Sequence, residues 1–335
     1  MTGSVGGGAA CRLLIVIVTF NSERDIERCI RSIFQNVQDL ITAGDVRVCV
    51  VDNASNDETC SILRRLEVEF SWLACHFLHE NIGFGRANNI GLADRSAGAY
   101  LLLNADAWLV GDCLTAVMER LEGVPDVGVI GLPLRFPDGK PQTYAYVFSS
   151  WHRWALYLLG VRRLVTLLIA FPAMARVLGR GRIGRAFVST HSASPIDLSD
   201  QNALVNEATL EVQSVDWVCG AAMALSRKFV MESGGFDPRI FLYGEDEDLC
   251  IDAHKRGFKV ETLKTVPVVH VLGWGKKTFR PKVAKMKYDS LSYFIKKNVP
   301  SVIDRLMMRA LLPFYVYGWR ALLLAHIRGS GGKEA

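Results

Sequence analysis

The sequence predicts an α/β fold built on a doubly wound, mostly parallel sheet. Three observations carry that prediction. Apolar runs of strand length recur at residues 13–18, 46–51, 73–78 and 100–103. Segments with apolar residues at helical spacing separate them. Each run ends in a polar or glycine-bearing turn, and ligands of open α/β sheets bind just beyond the carboxyl ends of strands.

The elements follow in order. Residues 13–18 are apolar throughout, as in a strand buried on both faces. Ser22 is expected to cap the next helix, where Ile26, Cys29, Ile30, Ile33, Phe34 and Val37 share a face. The second strand, 46–51, ends in Asp52-Asn53-Ala54-Ser55-Asn56-Asp57, a polar turn opening a helix around Ile62, Leu63 and Leu66. After the third strand, Gly83 and Gly85 lead into a helix through Ala87 and Leu92. The fourth strand ends at Asn104-Ala105-Asp106. Beyond the apolar run 127–131 regularity is lost until 215–225. A helix from Ser226, the turn Gly234-Gly235-Phe236-Asp237-Pro238 and a helix opened by Glu245-Asp246-Glu247-Asp248 come next. Residues 266–271, holding His270, are the last strand-like run, and beyond Lys276 the chain is basic and helical.

With 335 residues, 50% of them hydrophobic, the chain suffices for one large domain with appendages. Its net charge of +5 is unevenly spread. Between Gly139 and Ile196 there is no Asp or Glu, yet seven arginines, which suggests an anionic surface or substrate. The eight cysteines form no Cys-x-x-Cys pair and read as reduced thiols of a cytosolic protein. Residues 1–11 read as a disordered tail; the Gly-rich start has no basic segment of the kind that opens a signal peptide. A polar stretch at 189–206 reads as a mobile loop.

Residues 154–171 and 306–327 approach membrane-helix hydrophobicity, but Arg162, Arg163, Arg309, Pro313 and Arg320 interrupt them. Neither offers the roughly 18 uncharged apolar residues that spanning requires. Arginine mixed with aromatic and aliphatic residues fits helices lying in the interface of an anionic membrane. A buried amphipathic helix or a contact within a homo-oligomer are the alternatives.

Four polar sets stand at strand ends: Thr19 and Asn21; Asp52; Asn81, Gly83, Arg86 and Asn88; Asn104 and Asp106. In a doubly wound sheet these loops line one cleft. Taken alone, Asp106 is a turn cap or a metal ligand, and His270 a core histidine or a ligand. Four consecutive acids at 245–248 exceed what a helix dipole accounts for. No P-loop motif occurs, and no G-x-G-x-x-G follows the first strand, so P-loop NTPases and dinucleotide dehydrogenases lose support.

The segments Val16-Ile17-Val18-Thr19-Phe20-Asn21, Val50-Val51-Asp52-Asn53-Ala54-Ser55-Asn56-Asp57, Asn81-Ile82-Gly83-Phe84-Gly85-Arg86-Ala87-Asn88-Asn89 and Leu103-Asn104-Ala105-Asp106 follow one another in an order that resembles the family 2 inverting glycosyltransferases of GT-A fold. Trp217-Val218-Cys219-Gly220-Ala221, Gly234-Gly235-Phe236-Asp237 and Phe241-Leu242-Tyr243-Gly244-Glu245-Asp246 continue the resemblance, which is nearest to the bacterial rhamnosyltransferase branch.

The resemblance implies a catalytic domain at 12–275, with a nucleotide-binding half at 12–131, a basic amphipathic insertion at 132–214 and an acceptor half at 215–275; a basic helical tail covers 276–335. It implies that Thr19, Asn21, Asp52, Asn81, Arg86, Asn88, Asn104 and Asp106 surround the nucleotide-sugar. Asp106 and His270 would hold a divalent metal, Mg2+ or Mn2+, that neutralises the departing diphosphate. Asp246, supported by Glu245, would be the catalytic base, and Trp217 and Gly220 would shape the acceptor side.

Asn104 departs from the family's D-x-D, and an amide is a weaker ligand than a carboxylate for a hard cation. The implied donor is dTDP-L-rhamnose. UDP-linked galactose, galactofuranose or N-acetylglucosamine are alternatives, as is a non-catalytic nucleotide- or glycan-binding scaffold. The implied acceptor is a glycan or polyprenyl-diphosphate-linked sugar at the cytoplasmic face of the plasma membrane, held peripherally, with no nucleic acid partner.

Overall fold

The computed structural model describes residues 11–159, 212–271 and 281–330. The N-terminal tail through residue 10, most of the basic insertion and the loop expected at 189–206 lie outside the described residues. Two compact units are present. Of the described residues, the first comprises 11–146, 212–241 and 245–271, and the second 147–159, 242–244 and 281–330.

The first unit is built on an eight-stranded sheet. Its strands are β1 (Leu13–Thr19), β2 (Val46–Asp52), β3 (Leu73–Phe77), β4 (Ala99–Asn104), β6 (Val127–Gly131), β10 (Val212–Ser214), β12 (Ala222–Ser226) and β13 (Lys259–Leu263). They lie in the order β10-β13-β6-β12-β4-β1-β2-β3. β1, β2, β3 and β4 are mutually parallel, as is the pair β6 and β13. β12 runs antiparallel between β4 and β6, and β10 antiparallel beside β13. The sheet is therefore mostly parallel, as the apolar runs predict. Leu13, Ile15, Val16 and Ile17 of β1 are fully buried. A strand that exposes neither face needs no polar alternation.

Helices α1 (Ile26–Thr42), α2 (Thr59–Glu69) and α3 (Phe84–Leu92) cross between these strands, followed by α4 (Leu114–Gly123), α6 (Arg227–Ser233) and α7 (Glu245–Lys255). α1 buries Ile26, Cys29, Ile30, Ile33, Val37 and Ile41. Phe34, half-buried, instead joins Phe70 and Trp72 in an aromatic cluster. Ser22 does not cap this helix: Asp25 occupies the cap position. Asn21 stands at φ +54, which inserts an extra turn in which the Ser22 carbonyl accepts from Asp25 and Ile26 N–H. Ser226 does cap α6, accepting from the Phe229 N–H.

Two smaller sheets extend the core. β5 (Ala107–Trp108), β14 (Val268–His270), β7 (Leu134–Arg135) and β8 (Pro141–Gln142) form one, and β9 (Ala145–Tyr146) pairs with β11 (Trp217–Val218) in the other. The run at 266–271 is thus a three-residue strand beside the main sheet, and the stretch 215–225 is two strands separated by Cys219-Gly220-Ala221.

β13 is absent from the sequence expectations because it carries a buried glutamate. Glu261, 3% exposed, faces Arg120 of α4 in a bidentate pair with contacts of 2.9–3.0 Å. All eight cysteines are free.

The second unit contains helices α5 (Trp151–Leu158), α8 (Pro281–Asn298) and α9 (Val302–Ser330). Trp154 of α5 stacks on Tyr315 of α9 with centroids 4.4 Å apart. α9 contains Pro313 and breaks at Gly318, φ +74.

Arg120→Ala strands the Glu261 carboxylate in the sheet. Chemical unfolding should show a loss of about 3 kcal/mol, the lower end for a broken buried pair because Arg120 is partly solvated.

Candidate active site

The strand order reverses direction of growth between β1 and β4, which opens a crevice at their carboxyl ends. Thr19 and Asn104 close the two strands there: Val18 pairs in register with Asn104, and Thr19 with Asp52.

Hydrogen bonds lace three loops along the crevice. Thr19 Oγ1 donates to Asp52 Oδ1 at 2.8 Å, and the Asn53 N–H donates to the Thr19 carbonyl. Asp52, 1% exposed, also accepts from the Ser55 N–H and Oγ and from the Cys60 thiol. Asn21 donates its N–H to Ser55 Oγ and accepts at Oδ1 from the Asn56 N–H, both at 2.8 Å. Asn53 then ties the second loop to the third. Its Nδ2 donates to Asn81 Oδ1 and the Gly83 carbonyl, and its Oδ1 accepts from the Ile82 N–H.

Gly83 must be glycine: it stands at φ +93, and a Cβ would lie 2.7 Å from the Phe241 carbonyl oxygen. Thr19, Asn21, Asp52 and Asn81 are therefore together. Arg86 and Asn88 are not among them. Arg86 donates from Nε to the Pro238 carbonyl at 2.6 Å, and Asn88, 1% exposed, donates to the Phe84 carbonyl of its own helix. With Asn89, which exchanges two bonds with the Phe236 backbone, Arg86 bolts α3 to the 235–238 turn.

The second cluster surrounds His270, which is 4% exposed. β14 pairs with β5, and the Val271 N–H donates to the Asp106 carbonyl, so His270 lies against the Asn104–Asp106 turn. Its Nε2 is 3.2 Å from Asp106 Oδ1 and 3.3 Å from Asn104 Nδ2. Its Nδ1 meets the Gln142 side-chain amide, 3.1 Å from Nε2 and 3.2 Å from Oε1.

Two tautomers fit. With the proton on Nε2, the ring donates to Asp106 and accepts from Gln142. With the proton on Nδ1, the ring donates to Gln142 and turns an Nε2 lone pair toward Asp106. The second is the form in which an imidazole and a carboxylate can hold a divalent cation, with Gln142 fixing the ring from behind. Among the described residues no group of three or more His, Cys, Asp and Glu side chains is placed to hold a metal. A cation here would take its remaining ligands from water and phosphate, as Mg2+ commonly does. Asp25 adds to the field: burial first, then the Asp106 charge, holds its carboxyl above the ordinary value.

The third cluster is the start of α7. Asp246 accepts from the Glu247 N–H at 2.9 Å and the Gly220 N–H at 3.4 Å. Burial raises its pKa above the ordinary carboxylate value, against those hydrogen bonds. Glu245, Glu247 and Asp248 are buried. The Asn104 N–H donates to the Ala221 carbonyl at 2.9 Å.

Adjacent residues Gly220 and Ala221 thus link the Asp246 carboxylate to the end of β4. Burial pushes the Cys219 thiol up to about 12, reinforced by the charges of Asp246, Glu245 and Asp106. Trp217 stacks on Tyr146 with centroids 4.3 Å apart, close to this segment in the chain.

Asn53, Asn89, Gln142, Cys219 and Asp25 are structurally involved and were not assigned roles from sequence. Asn53 and Asn89 lie inside the motifs quoted above. Gln142 has no local signal, because it lies where regular alternation is lost.

The glycosyl transferase family 2 model matches residues 14–175. N-acetylglucosaminyl-diphospho-decaprenol L-rhamnosyltransferase of Mycobacterium tuberculosis is 23% identical over 271 residues, 77% of this chain and 75% of that protein. Two solved structures share the fold. Mannosyltransferase PcManGT from Pyrobaculum calidifontis, in complex with GDP-Man and Mn2+, has a TM-score of 0.53 at 16% identity, covering 98% of this chain and 77% of that one. TarS 1-349 of S. aureus has a TM-score of 0.51 at 13% identity, covering 97% and 75%.

Asn53→Ala unlaces the second and third loops. A loss of about 2 kcal/mol is expected for a buried amide with three partners, read as a lower melting temperature.

Proposed function

The chain is a glycosyltransferase of the GT-A fold, with its family 2 region at residues 14–175, and we propose that it transfers L-rhamnose from dTDP-L-rhamnose to a polyprenyl-diphosphate-linked sugar with inversion. One observation carries the mechanism. The Gly220-Ala221 segment bonds to Asp246 on one side and to Asn104 on the other, which supports a base working beside the Asp106–His270 pair.

Asp246 takes the proton of the acceptor hydroxyl as that oxygen attacks the anomeric carbon from the face opposite the diphosphate. A carboxylate whose pKa is raised by burial is the stronger base for this step. Glu245 precedes it and adds negative field. Thr19, Asn21, Asp52 and Asn81 form the rim on which the nucleotide base rests, and Arg86 and Asn89 hold α3 in place behind it, with Asn88 buried inside that helix. Asp106 and His270 are the ligands for Mg2+ or Mn2+, which when bound supplies positive charge to a diphosphate. Asn104 orients the His270 ring. Trp217 and Gly220 border the acceptor.

The likeness to a rhamnosyltransferase whose substrate name includes a diphospho-decaprenol supports both donor and acceptor. No helix among the described residues is long and apolar enough to cross a membrane. α9 instead exposes Val302, Ile303, Leu306 and Met307, beside the exposed Arg309, which supports peripheral attachment to an anionic bilayer.

Transfer assays across dTDP-L-rhamnose and UDP-sugars, with added Mn2+ or chelator, test the donor; selective turnover of a UDP-sugar would replace rhamnose in the reading. Asp246→Asn should retain nucleotide binding and lose at least about a thousandfold in kcat. Because Asp246 has a raised native pKa, the native state holds its proton more tightly than the unfolded chain. Its ionisation therefore costs stability as pH rises from the unfolded carboxylate value to the native one. The Asn variant should accordingly be no less stable than the parent at pH 7, and near-normal transfer by it would sink the base assignment.

Ile303→Glu with Leu306→Glu changes only exposed positions. The double variant should keep the parental melting temperature and fail to sediment with phosphatidylglycerol vesicles; cosedimentation equal to the parent would count against membrane attachment through α9.

A further inference from the structure

Asp246 depends on a weak tether. Its Oδ1 accepts from the Glu247 N–H of its own helix, and its Oδ2 accepts from the Gly220 N–H at 3.4 Å. A hydrogen bond of that length orients a carboxylate poorly, so packing has to hold the two partners together. The packing comes from Phe84, the first residue of α3. A Cβ added to Gly220 would lie 3.7 Å from Asp246 Cβ and 3.7 Å from Phe84 Cε1, both ordinary van der Waals contacts. The ring edge and the stem of the carboxylate therefore reach the same point beside Gly220, although residues 84, 220 and 246 belong to three separate segments of the chain.

Phe84 is fixed in this place from several sides. Its N–H donates to the Phe241 carbonyl at 3.0 Å, and its carbonyl accepts from the buried Asn88 amide at 3.0 Å. Its ring meets Phe236 edge to face, with centroids 6.2 Å apart and planes at 71°. The glycines on either side let α3 press onto the segment 236–241. The Gly83 approach to Phe241 is matched by Gly85, where a Cβ would lie 2.9 Å from Phe236 Cβ. Gly83 also carries the carbonyl to which Asn53 donates. Phe84 thus stands between the loop on the nucleotide side and the chain that leads to Asp246. Its ring is half-buried, an edge of the crevice and not part of the enclosed core.

We propose that Phe84 is a positioning residue for the base: its ring backs Gly220 and keeps the Gly220 N–H against Asp246, so that the carboxylate stays aimed at the acceptor hydroxyl. The proposal rests on the reading of Asp246 as the base. Phe84 takes no proton and brings no charge. It acts through Asp246, and what it supplies is lost once that carboxylate is gone.

A double-mutant cycle with Asp246→Asn on the full chain tests this, using dTDP-L-rhamnose and an alkyl N-acetylglucosaminyl diphosphate as substrates. Phe84→Ala should lower kcat about tenfold or more and leave the affinity for dTDP, read by calorimetry, within about twofold; Phe84→Leu, which refills the space beside Gly220, should restore most of the loss. In the Asp246→Asn background the same Phe84→Ala change should cost less than about twofold. Phe84→Val, the milder truncation, carries the same cycle where the alanine variant does not fold. An unchanged kcat in the truncated variant overturns the proposal. So does an equal loss in both backgrounds, or a loss of kcat matched by a loss of dTDP affinity, either of which would mark a ring that only supports the fold. Near-normal transfer by Asp246→Asn overturns the base itself, and the role of Phe84 with it, which the cycle separates from a failure of Phe84 alone. Turnover of a UDP-sugar in place of dTDP-L-rhamnose corrects the donor; the cycle then runs on that donor, with UDP in the calorimetry, and the same outcomes decide.

Discussion

The hydrogen bond from the Asn104 N–H to the Ala221 carbonyl is the constraint on which the site depends. It exists because β12 runs antiparallel beside β4, with Ala222 in register with Leu103. A parallel neighbour would deliver its carboxyl end to the crevice, followed by another loop of the first kind. An antiparallel one delivers its amino end, and with it the segment preceding that strand. That segment is Cys219-Gly220-Ala221, whose Gly220 N–H reaches Asp246. One reversed strand therefore brings together residues 104, 220 and 246, which no local motif spans.

The arrangement concentrates negative charge. Burial and then the Asp106 charge raise Asp25, and burial and then the charges of Asp246, Glu245 and Asp106 raise Cys219. Folding gains nothing from such crowding: carboxylates sharing a desolvated crevice disfavour one another's ionised forms. The scaffold offsets the cost elsewhere, through a β1 strand buried almost throughout, a bidentate Arg120–Glu261 pair and loops whose polar atoms satisfy each other. The crowding is useful chemically. The burial that comes with it keeps Asp246 basic, and the field would favour a cation beside Asp106 and His270.

Much of this was legible in the sequence, and the reason is physical. Strands buried on both faces are apolar almost throughout, so residues 13–18, 46–51 (Arg47 apart) and 100–103 announced themselves, and with them the loops that end in Asp52, Asn104 and Asp106. The exceptions are elements whose burial depends on a distant partner. β13 contains Glu261, which only Arg120, 141 positions away, makes tolerable inside a sheet. Gln142 sits in a two-residue strand with no periodicity, and its contact with His270 is 128 positions distant. Ser22 looked like a cap because its chemistry suits one. The left-handed turn at Asn21 moved the helix start to Asp25, which is also what carries that carboxylate toward Asp106.

The amide at 104 follows from the same electrostatics. His270 Nε2 lies within 3.3 Å of both Asn104 Nδ2 and Asp106 Oδ1. A second carboxylate at 104 would place two anionic groups on one ring nitrogen, next to Asp25, in a crevice that already raises the pKa of Asp246. Such a pair favours a protonated imidazolium, which has no lone pair left for a cation. An amide donates to Nε2 instead. That bond takes up the Nε2 lone pair in the tautomer protonated on Nδ1 and bonded to Gln142, so a cation at Nε2 would have to displace the amide. Asn104, Gln142, His270 and Asp106 thus form one polar cluster at the end of β4, in which the amide at 104 brings a donor to His270 Nε2 rather than a second anionic group.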